Sequence, residues 1–148
     1  MEIKVFHDLP EDAKQIRVTV FCDEQGFQEE FDELDCTATH LVAYEKGIPV
    51  GTCRFTLMTP PNTYLIGRIA VSRSQRGKGI GGKLVREAEK LVLAAHNGSV
   101  IFHIGAQVQA IPFYAALGYT PVGERYMDEH VEHQGMEKTG HLLGKFPC

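Results

Sequence analysis

The sequence predicts a single α/β domain over residues 1–148, and three observations lead there. Strand-like and helix-like runs alternate along the chain. A stretch rich in glycine and basic residues, "RSQRGKGIGGKL", joins an apolar strand to an amphipathic helix at residues 73–84. No internal repeat, linker or low-complexity tract interrupts the 148 residues, a length sufficient for one buried core.

The elements follow in order. "EIKVF" alternates polar and apolar residues and reads as a first strand. "PEDAKQIRVTVFCDEQ" opens a helix, with Pro10 at its first position and acidic residues in its first turn. Ala13, Ile16, Val20 and Phe21 recur at helical spacing, and Gly26 breaks the pattern. "FQEEFDELDCTAT" reads as an acidic loop or short helix. "HLVAYE" and "IPVGTCRFTLM" are two strands around a tight Lys46-Gly47 turn, and "TPPN" at 59–62 is a second turn. "TYLIGRIAVS" is a strand that runs into the glycine loop. From Ile80 to His96, Leu84, Ala88, Leu91, Val92 and Ala95 mark the apolar face of a helix that Asn97-Gly98 closes. "SVIFHIGA" is apolar throughout, as a strand in a sheet interior is. "QAIPFYAALGY" is a short helix ending at Gly118, and two strands finish the chain.

Composition removes several classes of function. A net charge of −4 argues against nucleic-acid binding, which wants a basic face. No apolar run approaches the ~20 residues of a membrane span. "MEIKVFHDLP" lacks the basic-then-apolar pattern of a signal peptide. Cys22, Cys36, Cys53 and Cys148 form no CxxC pair and read as reduced thiols, mostly small buried apolar groups, with terminal Cys148 open to oxidation. A cytoplasmic protein is the expectation. In "DEHVEHQGM", His130 and His133 lie beside Glu129 and Glu132, but there is neither a helical spacing nor a clear third ligand. That segment reads as a turn between the last two strands, and no metal is expected.

The glycine loop has the chemistry of an anion site. The first N–H groups of a helix lack intrahelical partners and carry the positive end of the helix dipole. Gly77, Gly79, Gly81 and Gly82 let the backbone approach a ligand closely, while Arg76, Lys78 and Lys83 add charge. A flexible glycine connection with solvated basic side chains is the plainer alternative. A nucleotide-hydrolysing loop runs from Gly77 to Gly82 and Lys83, but Leu84 stands where a hydroxyl must hold magnesium. A dinucleotide loop is weakly suggested by Gly77, Gly79 and Gly82, since this loop begins halfway along the chain rather than after a first strand.

Arg76, Gly79 and Gly81 fill the pattern [RQ]-x-x-G-x-[GA] directly after the strand "LIGRIAV". Ala110, Phe113, Tyr114, Gly118 and Tyr119 fill A-x-x-F-Y-x-x-x-G-[FY] on the downstream helix. In this order the two patterns resemble the GNAT N-acetyltransferase superfamily. With "VFCDEQGF", His40, "GAQ" and "HVEHQGM", the chain looks like its small ElaA-like branch. The resemblance covers most of the chain. It implies a central, mixed, mostly antiparallel twisted sheet of six to seven strands, helices on both faces and a cleft where central strands splay.

The resemblance also implies acetyl-CoA as cosubstrate and acyl transfer to a primary amine. Its pyrophosphate would lie on the N–H groups of Gly77, Lys78, Gly79, Ile80, Gly81 and Gly82, with Arg76 and Lys83 adding charge. The pantetheine arm would pair with Ile69, Ala70 and Val71 like an added strand. The N–H of Val71 or a neighbour would polarise the thioester carbonyl, a contribution of about 3–4 kcal/mol per donor in well-studied enzymes. Gln107 would contact the pantetheine amide, and Phe113 joins the coenzyme-binding set beside Tyr114. Tyr114 is the implied general acid for the leaving thiolate; a simple aromatic pair with Phe113 is the alternative.

The attacking amine must lose a proton. Glu29, Glu30, Asp32, Glu33 and Asp35 form a carboxylate cluster on the segment that borders the acceptor in this family, with Glu30 as its candidate base. A solvated acidic loop is the competing reading. His40, at the start of a strand, is the second candidate base or a structural histidine. Arg54 and Arg68 lie in strands, where a charge needs a partner or an open cleft, and either would suit an acidic part of the acceptor. The acceptor is a small-molecule amine or a protein amine, and neither nucleic acid nor membrane is expected as partner. Apolar C-terminal strands would suit a homodimer. A non-catalytic acyl-CoA-binding module is the rival function.

Overall fold

A computed structural model describes residues 1–96 and 98–141. Eight strands form one mixed sheet: β1 (Glu2–Phe6), β2 (Thr39–Glu45), β3 (Ile48–Thr59), β4 (Thr63–Val71), β5 (Val100–Gln107), β6 (Thr120–Pro121), β7 (Tyr126–Asp128) and β8 (Val131–Gly140). The order is β1-β2-β3-β4-β5-β8-β6, with β7 also on β8. The helices are α1 (Glu11–Arg17), α2 (Ile80–Ala95) and α3 (Ile111–Ala116). One strand more than the upper expectation appears because the chain after Gly118 makes two very short strands before β8. Among the described residues, no helix is long and apolar enough to cross a membrane.

The chain packs as two compact units: Met1–Thr56 with Ile66–Ala88, and Leu57–Leu65 with the residues from Glu89 onward. In the first unit, β2 pairs antiparallel with β1 and β3, and its centre is buried on both faces. Lys46 (φ 50°) and Gly47 (φ 80°) both take left-handed backbone, as a two-residue hairpin turn requires. The glycine at position 51 lets α2 sit close on β3: a Cβ there would lie 3.0 Å from both Ile80 and Leu84. Ile80, Leu84, Val85 and Ala88 are buried along that helix. His40 and Arg54, directly paired across β2 and β3, face the opposite side, toward the end of α1. Helices therefore cover both faces of this unit.

Pro10 is the residue before α1 rather than its first position, with an extended backbone (φ −79°, ψ 155°). Its carbonyl still accepts the first helical bond, from the N–H of Lys14 at 3.1 Å. Beyond Arg17 the backbone widens into a π-helix, Val18–Glu24, through a run of residues that includes the β-branched Val18, Thr19 and Val20. The expected acidic segment contains one short 3-10 turn, Glu33–Cys36, capped by Asp32.

In the second unit, β5 pairs parallel with β4 over Thr63–Leu65 and Ile101–His103, and antiparallel with β8 along its whole length. Alternate residues of β5, Val100, Phe102, Ile104 and Ala106, are fully buried. The other face of β5 is therefore half-open, a difference from the fully buried strand its apolar run suggests. Ala95, expected on the apolar face of α2, is exposed at the helix end. Asn97 lies outside the described residues; Gly98 follows with φ 87°.

Candidate active site

The glycine loop is built as an anion site would be. After β4, a 3-10 turn (Arg73–Gln75) leads to Gly77 and Gly79, both at φ 79° and both open: a Cβ on either would meet nothing within 4 Å. Here glycine serves conformation and access rather than packing. The N–H of Lys83 donates to the Gly79 carbonyl at 3.1 Å, the first bond of α2. The amides of Gly79, Ile80, Gly81 and Gly82 therefore precede the intrahelical ladder. No acidic residue lies in the first turn of α2 to cancel the dipole's positive end.

The side chains divide the labour. Lys78 and Lys83 are exposed, Lys78 donating to Gln75 at 3.1 Å. The side chain of Ile80 is core, so its part in ligand binding falls to its N–H. Arg76 donates through Nε to the Val71 carbonyl at 2.9 Å and through Nη2 to Glu24 at 2.9 Å. Arg73 reaches the same carboxylate at 3.5 Å. Glu24, at the end of the π-helix, thus fixes the loop's arginine; sequence reasoning missed it, because nothing in the chain ties residue 24 to residue 76. On β4, Ala70 is buried while Ile69 and Val71 are half-buried.

The acidic segment is not an open rim. Arg17 donates to Glu30 (Nε–Oε2 2.6 Å) and forks onto Asp35 (2.7 and 3.1 Å), and its guanidinium lies 4.9 Å from the Phe31 ring. Arg54 binds Asp32 (2.6 and 2.9 Å) and Asp35 (2.8 Å). Arg68 binds Glu30 at 3.1 Å and Asp32 at 3.3 Å. Three guanidiniums thus meet three carboxylates in a charge-balanced network. Arg68 belongs to a strand yet has φ 51°, a strained value for a non-glycine residue that its ties to the segment hold in place.

The electrostatics follow from this pairing. Burial raises the Glu30 carboxyl, and three nearby arginines oppose without reversing the shift. Asp32 is lowered, chiefly by the hydrogen bond from Arg54. Burial pushes Asp35 up, but the bonds from Arg17, the Asp32 amide and Arg54 outweigh it and hold the carboxyl well below its ordinary range. The expectation that this cluster is free to hold a cationic amine is corrected: Glu30, Asp32 and Asp35 already carry guanidinium partners. Arg54 and Arg68 likewise have partners within the fold rather than waiting for an acidic acceptor. His40 is buried, lowered by that burial, and its Nε2 donates to the Asp35 carbonyl at 3.1 Å. One sequence signal did exist: Arg17 falls in the apolar helical series with Ala13, Val20 and Phe21, where a charge demands a partner.

In the second unit, Tyr114 is buried on α3, with edge-on rings at 5.0 Å (Phe113) and 6.3 Å (Tyr119). Its carbonyl accepts from the N–H groups of Leu117 (3.0 Å) and Tyr119 (3.1 Å) as Gly118 turns at φ 99°. Tyr119 donates to Glu89 at 2.7 Å, and Lys138 closes the cluster onto Glu89 and the Leu117 carbonyl. Phe113, by contrast, is exposed. Gln107 ends β5, accepts from Gln109 at 2.6 Å, and stands opposite His133 of β8.

The face of β5 and β8 that carries Gly105 and Gly135 holds further polar groups, of which sequence reasoning had weighed only His133. Gly105 and Gly135 are directly paired, and a Cβ on Gly105 would overlap the Tyr126 hydroxyl. Tyr126 stacks on His133 (5.6 Å, 22°), whose Nδ1 donates to the Val131 carbonyl at 2.9 Å. Burial, with Asp128 adding, pushes the Tyr126 phenol up, so it stays a donor. His103 bonds Glu137 at 2.9 Å through Nδ1. His130 lies at the turn between β7 and β8, as expected, and His133 lies on β8 itself. The cysteines differ from expectation: Cys53 is buried, but Cys22 is half-buried and Cys36 exposed; Cys148 lies outside the described residues.

Comparison with known proteins agrees with both signatures. Residues 8–140 match the model of the acetyltransferase (GNAT) domain. An uncharacterized N-acetyltransferase of Bacillus subtilis, YjcF, is 36% identical over 130 residues, covering 86% of this chain and 90% of that protein. The crystal structure of Escherichia coli ElaA superposes with a TM-score of 0.80 at 26% identity, over 93% of this chain and 98% of the other. An aminoglycoside 6'-N-acetyltransferase complexed with coenzyme A shares the fold, with a TM-score of 0.74 at 18% identity over 100% and 99% of the two chains. With the family match spanning nearly the whole length and both signatures on their expected elements, the chain belongs to the GNAT acetyltransferase family.

Proposed function

We propose that this acyltransferase-family protein moves the acetyl group of acetyl-CoA to a primary amine, on a small molecule or on a protein. The observation that carries the reading is the start of α2, where amides that precede the helical ladder follow two open, left-handed glycines in the family's pyrophosphate register. The residues suit the coenzyme: the loop has space, positive charge and no first-turn carboxylate, and on β4 Ile69 and Val71 are half-buried residues beside which the pantetheine arm would lie. Gln107 and Phe113 contribute side-chain contacts.

In this reading the Val71 amide polarises the thioester carbonyl and favours the oxyanion that develops there. Tyr114 gives its phenolic proton to the departing sulfur. Glu30 is assigned to the ion-pair network rather than to proton transfer, since both its carboxylate oxygens carry guanidinium partners, and His40, buried with Nε2 on the Asp35 carbonyl, to supporting that network.

A thermal-shift titration with acetyl-CoA, coenzyme A, ATP and NAD⁺ tests the reading. A ligand at about a hundred times its Kd adds about 2.7 kcal/mol, or roughly 5–10 °C for a chain of this size. Shifts with acetyl-CoA and coenzyme A alone are expected; a shift only with ATP or NAD⁺, or none, refutes it. Tyr114→Phe is expected to lower turnover about 10²-fold while the acetyl-CoA shift stays intact. Full turnover in that variant, with chemistry rate-limiting, would remove Tyr114 from the acid role.

A further inference from the structure

We propose that Arg76, aimed by Glu24, serves the thioester end of the coenzyme rather than its pyrophosphate: it grips and covers the Val71 carbonyl beside the amide that meets the developing oxyanion. The proposal rests on the acyl-transfer reading above. All of the groups involved lie in the first unit. Arg76 donates through Nε to the Val71 carbonyl at 2.9 Å and through Nη2 to Glu24 at 2.9 Å. On the other side of β4, the Ser72 N–H donates to the Val50 carbonyl of β3 at 2.9 Å. The Val71 carbonyl and the Ser72 N–H belong to one planar, trans peptide, so they point in opposite directions. That peptide is therefore held at both ends, by β3 on one edge of β4 and by Arg76 on the other.

The grip bears on the chemistry through the amide of Val71 itself. In an extended strand a residue's N–H and C=O point to the same edge, so the Val71 amide faces away from β3, alongside the oxygen that Arg76 covers. A thioester oxygen that accepts from this amide has the carbonyl oxygen of the same residue as its neighbour. Uncovered, that oxygen would repel the negative charge that grows in the transition state. Covered by a guanidinium, it carries positive charge beside the oxyanion instead. Neither Arg76 nor Glu24 takes up or gives a proton, so the bonds made and broken are those of the acyl transfer itself.

Glu24 supplies the aim. Its side chain is 15% exposed at the end of the π-helix, against 41% for Arg76 and 77% for Arg73, which reaches the same carboxylate oxygen at 3.5 Å. An arginine held at one atom could still swing toward a phosphate. Two acceptors on two atoms of one rigid guanidinium fix its plane. The anion site does not need this side chain: the amides of Gly79, Ile80, Gly81 and Gly82 precede the helical ladder, and Lys78 and Lys83 are exposed beside them.

Isotope-edited infrared spectra of the full chain with acetyl-CoA, labelled at the thioester carbonyl carbon, read the polarisation directly and need no acceptor amine. In the parent the bound carbonyl band is expected below that of the free ligand. Arg76→Ala and Glu24→Ala are expected to move it back toward the free position. Calorimetry should find acetyl-CoA binding weakened by less than about tenfold in both, whereas loss of a side chain bonded to the charged pyrophosphate would cost about tenfold or more. Glu24→Gln keeps an acceptor for Nη2 and is expected to retain most of the downshift. A full downshift in Arg76→Ala or in Glu24→Ala overturns the proposal, as does a loss of affinity of about tenfold or more in Arg76→Ala. A band displaced as far in Glu24→Gln as in Glu24→Ala removes Glu24 from the aiming role. A parent that binds acetyl-CoA with its carbonyl band unshifted overturns both this role and the Val71 oxyanion donor. No acetyl-CoA binding by the parent overturns the acyl-transfer reading itself, and this role with it.

Discussion

Arg17→Met tests how far the ion-pair network holds the fold. The parent side chain is about 1% exposed and makes four hydrogen bonds: to Glu30 Oε2 at 2.6 Å, the Glu30 carbonyl at 3.1 Å, and Asp35 at 2.7 and 3.1 Å. Methionine keeps much of the stem's volume, so the change isolates the guanidinium. Glu30 and Asp35 then keep Arg68 and Arg54 as partners but carry an uncompensated buried charge. Breaking one side of a buried pair costs about 3–5 kcal/mol, which for a chain of this size lowers Tm by roughly 6–20 °C. The deficit has a pH signature. Glu30 is already raised by burial, and losing Arg17 removes a group that lowers it. A carboxyl raised in the fold is favourable at low pH, and that contribution is lost as pH rises above its unfolded value, so the deficit is larger near pH 8 than near pH 5. Urea unfolding of both proteins at the two pH values measures this. A loss below about 1 kcal/mol, or one independent of pH, refutes the view that Arg17 neutralises buried carboxylates.

Other outcomes follow from single features. Gly79→Asp places a side chain on a φ of 79° and a negative charge before α2; acetyl-CoA should bind at least about tenfold more weakly, with Gly79→Ala as the neutral control for strain, measured by calorimetry. Asp35 and Asp32 are lowered in the fold, so their stabilisation is complete above an unfolded value near 3.8 and is lost as pH falls below it. Acid titration by circular dichroism should therefore show a transition that Asp35→Asn makes shallower. Burial pushes the Cys53 thiol up to about 12. Iodoacetamide mapping in native buffer should label exposed Cys36 fastest and spare Cys53 until denaturant is added. Rapid native labelling of Cys53 would contradict its burial.

Legibility in the sequence tracked how local the determining physics is. The loop from Arg76 to Gly82 was readable because strand, glycines, cations and helix start are consecutive, and each needs only its neighbours. Lys46-Gly47 was readable for the same reason. The acidic segment was not: "EEFDELD" has the composition of a solvated rim, and what changes its meaning is Arg17, Arg54 and Arg68 arriving from α1, β3 and β4. Glu24 and Arg76 are 52 positions apart, so no periodicity links them. The His103–Glu137 pair likewise depends on the β5–β8 register, which a strand's apolar pattern leaves open. Cys36 looked like core because cysteine usually is, but it closes a short 3-10 turn at the surface.

The balance of three guanidiniums and three carboxylates constrains how this protein can diverge. Any one-step exchange at Arg17, Glu30, Asp35 or Arg54 strands a charge in a dry setting, so those positions change together or stay fixed. Phe31, Glu33 and Leu34 lie on the same stretch with exposed side chains. Glu33 and Leu34 ride on a scaffold that is hard to alter while remaining themselves inexpensive to replace, whereas Phe31 gives up its contact with Arg17 when it changes. Drift concentrates there, so a lineage could sample new surface chemistry beside an unchanged frame one substitution at a time.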